Sequence, residues 1–87
     1  MKYAVYLIKS EKDNGFYTGI SDNLRRRIKE HNSGKLKITS FRKPFELVWY
    51  KFYDNAVEAR NHEKWLKKKS KEYKNKLAEI GVNDMLE

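Results

Sequence analysis

The chain has 87 residues, and its 20 Lys and Arg outnumber its 12 Asp and Glu, which gives a formal net charge of +8. This length provides one domain with one modest hydrophobic core. With no cysteine and only two histidines, disulfides, cysteine-based zinc sites and histidine-only metal sites are excluded. A basic domain of this size favours a polyanionic partner, most often nucleic acid.

The apolar run near the N-terminus, Tyr3 to Ile8, is too short for a signal peptide with a cleavage site or for a membrane span. No basic amphipathic anchor with exposed apolar side chains is evident, which argues against an acidic membrane surface as partner. The sequence therefore predicts a cytoplasmic protein without a membrane partner. We expect a single domain over residues 1–82 and a C-terminal tail over 83–87.

The first twenty residues predict two antiparallel strands. Residues 2–9 are apolar on both alternating sets of positions, which suits a strand covered on both faces. Asp13-Asn14-Gly15 is a turn signal, and residues 16–20 then return as the second strand. This pairing brings Tyr6 and Tyr17 to neighbouring strands. Gly19 is expected to let the backbone turn sharply before the next element.

Residues 22–32 predict a basic helix, with Ser21 or Asp22 as N-cap and Gly34 as the C-terminal stop. A loop over 35–44 follows and either tracks a phosphate backbone or faces solvent. Its basic residues are Lys35, Lys37, Arg42 and Lys43.

One face of this basic helix points inward. Leu24 and Ile28 repeat at helical spacing, and a helical wheel places Arg27 and His31 at the border of the apolar face. The helix begins next to Tyr17. A phenol, a guanidinium and an imidazole are therefore expected within reach of one pocket.

The second half of the chain predicts one strand and two helices. Residues 45–53 are rich in aromatic and β-branched residues and apolar on both faces, which favours a central strand. Asp54 or Asn55 caps a helix over 56–69, and a last helix over 70–80 ends at Gly81. His62 is expected on the surface. The aromatic residues expected in the core rather than in a base-stacking platform are Trp49, Tyr50, Tyr53 and Trp65.

Glu63 is out of place in the second helix, because it falls between Ala59 and Leu66 on the inward stripe. A buried carboxylate without a partner costs several kcal/mol. Three explanations stay open at this point: the carboxylate meets a cation such as Arg27, it binds a metal, or it faces a cleft.

The order of these elements and residues resembles a GIY-YIG nuclease domain of the small single-domain kind, over nearly the whole chain. The two name-giving motifs match Ala4-Val5-Tyr6 and Tyr17-Thr18-Gly19. The first helix and its loop match residues 22–35, the third strand 44–53, and the metal-binding helix 59–66. The resemblance implies an α+β fold in which helices pack on a three-stranded antiparallel sheet, in the order β-β-α-β-α-α.

The resemblance also implies an activity, namely divalent-metal-dependent hydrolysis of phosphodiester bonds in DNA, such as repair or recombination structures, with one Mg²⁺ or Mn²⁺ ion. In this pattern Glu63 is the metal ligand and Arg27 contacts the scissile phosphate. Tyr6 and Tyr17 help to activate the nucleophile and shape the site. His31 matches a histidine that some members use.

Further substrate contacts are expected from Lys35, Arg42 and Asn75, the last being a loose match to an asparagine that supports the site in some members. Ile20 stands where several members carry a lysine near the nucleophile. The proton acceptor is then His31, reached through water as the simpler route, or a tyrosine. A tyrosine, with an ordinary pKa of about 10, needs nearby cations to act as a base.

A second hypothesis is a nucleic-acid-binding module that keeps the fold without catalysis. The inward Glu63 favours the enzyme, since binding alone does not need it. A third, an interaction domain without nucleic acid, is disfavoured by the net charge. The chain has no sequence-reading module such as a zinc finger, so specificity must come from substrate shape or from a partner protein.

Overall fold

The computed structural model describes residues 2–81 and confirms an α+β fold of three antiparallel strands and three α-helices. The elements in chain order are β1 (Tyr3–Ser10), β2 (Phe16–Ser21), α1 (Leu24–Ser33), a short 3₁₀-helix (Ser40–Arg42), β3 (Phe45–Tyr53), α2 (Ala56–Lys67) and α3 (Lys71–Ile80). The predicted tail at 83–87 lies outside the described residues. Between residues 2 and 81, no helix has the length and apolarity needed to cross a membrane.

The sheet has the strand order β2-β1-β3, and both pairs are antiparallel. β1 is central and its residues from Ala4 to Ile8 are buried, as its double apolar pattern indicated. The prediction of a central β3 was wrong, since β3 pairs only with β1 and forms an edge. The apolar pattern of β3 suggested that both of its faces are covered. Side chains near both ends of the strand, Glu46, Lys51 and Phe52, are exposed instead.

The two faces of the sheet carry different cores, because successive side chains of a strand point to opposite faces. Val5 and Leu7 of β1 belong to one cluster, and Tyr6 and Ile8 belong to the other. The first cluster is completed by Val48, Trp49, Ala59 and Leu66, with Tyr73, Leu77 and Ala78 of α3 packed against it. The second contains Phe45 and Tyr50, with Tyr17, Leu24, Ile28 and Leu47 around it. Helix α1 thus covers one face, and α2 and α3 cover the other.

Polar side chains fix the starts of the helices. The N-cap of α1 is Asn23, whose Oδ1 accepts a hydrogen bond from Arg26 N at 3.1 Å, and neither Ser21 nor Asp22 as predicted. Ser21 is still part of β2, where it pairs with Ala4, so the helix can begin only afterwards. The N-cap of α2 is Asn55, one of its two predicted caps, and Gly34 ends α1 in the left-handed region, as expected. Ser70, predicted as the first residue of the last helix, is instead the N-cap of α3.

Candidate active site

The Tyr6 ring lies across Gly19, its direct partner on β2. A Cβ atom at Gly19 would stand 2.4 Å from the hydroxyl and Cζ of Tyr6, so only glycine leaves room for the phenol. Gly19 therefore lies within a strand and makes no turn, contrary to the prediction. Tyr17 lies on the same face of the sheet, with its ring centroid 6.5 Å from that of Tyr6.

His31 connects this phenol to the segment after α1. It is 1% exposed; its Nε2 lies 2.7 Å from the Tyr6 hydroxyl and its Nδ1 lies 2.8 Å from Thr39 Oγ1. Thr39 Oγ1 donates to the carbonyl of Leu36 at 3.5 Å, so it accepts from Nδ1–H of His31. Nε2 is then free to accept the proton of the Tyr6 hydroxyl.

The surroundings favour neutral forms of both groups. Burial, and then the positive charge of Arg27, lower the pKa of His31. Burial, and then Tyr17, raise the pKa of Tyr6; Glu63 and Glu30 add to this effect and Arg27 opposes it. The pair is thus a buried neutral phenol hydrogen-bonded to a buried neutral imidazole.

A direct relay from water to His31 does not fit this geometry. The rings of Tyr6, Tyr17 and Phe45 surround the imidazole at centroid distances of 5.8, 5.0 and 5.9 Å. Both ring nitrogens already have partners. Within the described part of the chain, the Tyr6 hydroxyl is therefore the group that can pass a proton to Nε2 of His31.

Arg27 offers a donor that has no acceptor. Its Nη1 lies 3.3 Å from Glu30 Oε1, but its Nε is buried with no hydrogen-bond partner among residues 2–81. Arg27 borders a pocket of about 200 Å³, and Arg60 of α2 lines the same pocket. Two guanidinium groups and an unsatisfied buried N–H suit an anion such as a phosphate oxygen.

Glu63 meets a cation of its own helix. Its side chain is 13% exposed, and Oε2 lies 3.4 Å from Lys67 Nζ, whereas Arg27 pairs with Glu30. Of the three explanations for an inward Glu63, the structure therefore matches the first, in which the carboxylate meets a cation. That cation is Lys67 and not Arg27. The structure describes no cluster of three His, Cys, Asp or Glu side chains that could hold a metal.

A single carboxylate nevertheless fits a hard divalent cation. Mg²⁺ commonly binds one or two protein carboxylates and completes its octahedron with water and substrate phosphate. Glu63 supplies one largely enclosed hard oxygen donor, and its negative charge contributes to the raised pKa of Tyr6. The donor set therefore suits one magnesium-like ion that competes with Lys67 for the carboxylate.

Arg42 is used inside the protein. Its Nε donates to Asp13 Oδ2 at 2.8 Å and its Nη2 donates to the Phe16 carbonyl at 3.3 Å. The bond from Arg42 is the main reason that the pKa of Asp13 falls to about 2. Arg42 thus ties the segment after α1 to the β1–β2 turn, and its predicted contact with substrate stays a prediction.

The other two predicted substrate contacts are exposed. Lys35 Nζ lies 3.9 Å from Oε2 of Glu30, whose Oε1 pairs with Arg27, so Lys35 and Arg27 share one carboxylate. Asn75 is exposed on α3, and no hydrogen bond joins it to the cluster within the described part of the chain. Of the predicted residues, Tyr6, Tyr17 and His31 contact one another. The charge of Arg27 affects the pKa of both Tyr6 and His31, and that of Glu63 affects the pKa of Tyr6.

Sequence reasoning missed Thr39, which is fully buried and bonded to His31. The signal that could have found Thr39 is the three-residue spacing of Leu36, Thr39 and Arg42 in the predicted loop. This spacing is typical of tight 3₁₀-type turns, in which residues three apart lie on the same side. Two ring-bearing residues also lie elsewhere than predicted, since His62 was expected on the surface and Trp65 in the core. His62 is half-buried, with Nδ1 2.6 Å from the Tyr53 hydroxyl, whereas Trp65 is exposed.

The small sheet, with a phenol from each of two adjacent strands, an arginine on α1 and a glutamate on α2, is the arrangement of a GIY-YIG domain. The model of the GIY-YIG catalytic domain family matches residues 2–78, and the chain belongs to this family. A UPF0213 protein of Clostridium perfringens is 42% identical over 84% of this chain and 78% of its own length. The UPF0213 protein YazA of Bacillus subtilis is 37% identical, covering 79% of this chain and 70% of its own.

A solved structure supports the same placement. The solution NMR structure of a UPF0213 protein from Bacillus halodurans has a TM-score of 0.58 and 36% identity, covering 92% of this chain and 85% of that one. The chain is therefore similar to small single-domain members of a nuclease family. The family as a whole acts on nucleic acids and generally uses a divalent metal.

Proposed function

We propose that this protein is a divalent-metal-dependent endonuclease that hydrolyses phosphodiester bonds in DNA. The observation that carries the proposal is the 2.7 Å contact between the Tyr6 hydroxyl and His31 Nε2, together with the unsatisfied Nε of Arg27, whose charge lowers the pKa of His31. A base linked to a proton carrier, beside a cation for the phosphate, is what hydrolysis of a phosphodiester requires.

The proton path follows from the hydrogen bonds. Tyr6 accepts a proton from the attacking water while its own proton passes to Nε2 of His31, which becomes an imidazolium. Because burial raises the pKa of Tyr6, a free phenolate is costly, and transfer to His31 avoids it. Thr39 holds the imidazole in position through Nδ1–H.

Arg27 and Glu63 provide the remaining charges. The guanidinium binds the scissile phosphate and stabilises the negative charge that grows on its oxygens. Glu63 would hold one Mg²⁺ or Mn²⁺ ion, which when bound supplies charge neutralisation at the leaving oxygen. Lys67 holds this carboxylate in place when no ion is present.

The net charge of +8 supports DNA as the substrate and Lys35 as a further phosphate contact. We propose repair or recombination structures as the class of DNA, because residues 2–81 contain no sequence-reading module such as a zinc finger. A partner protein in the cytoplasm is the other source of specificity that we propose.

A nucleic-acid-binding module without catalysis is the second candidate. The ion pair between Glu63 and Lys67 favours it, since a carboxylate that is already paired has a structural role without any metal. This reading predicts salt-sensitive DNA binding with no cleavage.

The first experiment compares cleavage of labelled duplex, single-stranded and branched DNA with Mg²⁺ or Mn²⁺, using EDTA as a control. We expect Glu63→Ala to lose activity at least about a hundredfold, while Glu58→Ala, an exposed carboxylate on the same helix, retains it. Tyr6→Phe keeps the ring over Gly19 and removes only the hydroxyl, so it should lose activity without unfolding.

The outcomes separate the two candidates. Cleavage that depends on metal and on Glu63 supports the endonuclease. DNA binding that weakens with salt, with no cleavage of any substrate by the wild type, identifies the binding module instead.

A further inference from the structure

The segment after α1 is built from two consecutive tight turns. Thr39 N donates to the Leu36 carbonyl at 3.2 Å, and Arg42 N donates to the Thr39 carbonyl at 3.0 Å. With about three residues per turn, residues three apart share a side. Leu36, Thr39 and Arg42 face the protein, whereas Ile38 and Phe41 face solvent and are 72% and 79% exposed.

Ile38 and Phe41 are the two most exposed large apolar side chains in the described part of the chain. Their backbone is firmly attached, so the exposure does not come from a loose segment. Thr39 is bonded to His31 at 2.8 Å, and the Arg42 carbonyl accepts from Ser10 Oγ at 2.5 Å. The fold therefore holds two apolar side chains away from its own core.

We call Ile38 and Phe41 the apolar tip. The positive charge around this apolar tip complements the negative charge of nucleic acid. Residues 35–43 contain four basic side chains and no acidic one. Lys37 and Lys43 have no ion-pair partner among residues 2–81. Cations next to exposed apolar side chains match DNA, in which phosphates flank bases with apolar faces.

The tip is also joined to the candidate active site. Thr39 lies between Ile38 and Phe41 in sequence, and its hydroxyl is one hydrogen bond from His31 and two from Tyr6. DNA held at the tip would therefore be held at a fixed position relative to the proton path.

We propose that Ile38 and Phe41 form an apolar wedge that contacts unstacked bases beside the cleaved phosphate, with Lys37 and Lys43 on the flanking phosphates. This inference rests on the proposed function and narrows its substrate to DNA whose base stack is already interrupted, as at a nick or a branch. An apolar wedge must unstack bases in order to insert, and the cost is smallest where stacking is already broken.

The test uses nicked and branched DNA with a fluorescent adenine analogue, 2-aminopurine, at the interruption. Glu63→Ala protein binds this DNA without cleaving it, and its binding should raise the fluorescence as the base unstacks. Adding Phe41→Ala should abolish that rise. In otherwise wild-type protein, Phe41→Ala should lower kcat/KM on nicked or branched DNA about ten- to a hundredfold.

Val57→Ala is the matched control, since Val57 is 70% exposed on α2 and lies outside the proposed wedge. It should leave fluorescence and cleavage within about twofold of the parent. Lys37→Gln should weaken binding and reduce its salt dependence by about one phosphate contact, with the fluorescence rise of the bound complex retained.

Each result decides something. If Phe41→Ala behaves like Val57→Ala in both assays, the wedge is wrong even though the protein cleaves DNA. If no variant cleaves but the fluorescence rise still depends on Phe41, the proposed base contact is supported and the proposed endonuclease activity is contradicted. If Phe41→Ala leaves DNA behaviour unchanged and dissociates an oligomer in solution, the tip is a protein interface and the wedge is overturned.

Discussion

The two faces of the sheet use the same central strand in opposite ways. On the face covered by α2 and α3, Val5 and Leu7 join a cluster of buried hydrophobic residues. On the face covered by α1, Tyr6 reaches a buried histidine, and a threonine completes the hydrogen-bonded chain. The two faces of this small domain therefore differ in what they bury. The first face is a hydrophobic cluster, whereas the second combines a smaller hydrophobic cluster with buried polar side chains that are hydrogen-bonded to one another.

The largest effect is expected from a cavity on the hydrophobic face. Leu66→Ala removes a fully buried side chain between α2 and the sheet and should lower the free energy of unfolding by about 3 kcal/mol. Urea denaturation measures the loss, with Val57→Ala on the same helix as the exposed control. If the faces act independently, the NMR signals of the His31 ring stay unchanged. A shift of those signals in Leu66→Ala would show that the hydrophobic face also positions the proton path.

A smaller effect is expected from Gly19→Ala on the other face. The new methyl group would overlap the Tyr6 ring, which must move away from His31, at a cost of about 2 kcal/mol. Gly15→Ala is the control, because its Cβ would meet the ends of two side chains, Arg42 and Asp13, rather than a buried ring. In a Tyr6→Leu background the cost of Gly19→Ala should largely vanish. An equal cost in both backgrounds would rule out the Tyr6 clash as the cause.

The smallest effect is expected from pH. Burial lowers the pKa of His31 and also that of His62 on the hydrophobic face, where Lys51 adds to the effect. The unfolded chain takes up these protons near pH 6.5, the ordinary value, whereas the folded chain resists them. Stability is therefore fully present above about pH 6.5 and is lost as pH falls further, by about 1.4 kcal/mol for each unit of pKa difference.

Urea midpoints at about pH 7.5 and 5, with NMR titration of both rings, measure this loss. His62→Gln should leave the part that belongs to His31. Cleavage should fall over the same acid range, because a charged His31 cannot accept the Tyr6 proton. Around His31, Arg27 lowers the pKa and Glu30 opposes it, so Glu30→Gln should move the acid limb to lower pH. Stability that does not change with pH would contradict the buried neutral histidines.

Local patterns located the elements of the fold well. β3 begins and ends at the predicted residues, and the caps at Asn55 and Ser70 lie at the predicted starts of the last two helices. These features depend on contacts between residues close in sequence, which a pattern can represent. The edge position of β3 could not be predicted in this way, because an apolar strand can show the same sequence pattern at the edge and at the centre of a sheet.

The sequence by itself determined the α+β class, the helical spacing of Arg27 and His31, and the unusual inward place of Glu63. Only the tertiary structure decided that Gly19 makes room for Tyr6, that Lys67 rather than Arg27 pairs with Glu63, and that Arg42 binds Asp13. Asn32 is a similar case, because its side chain holds the backbone of Phe45 through two hydrogen bonds. Periodicity fixes which way a side chain points along its own element, whereas its partners across space depend on how distant elements pack.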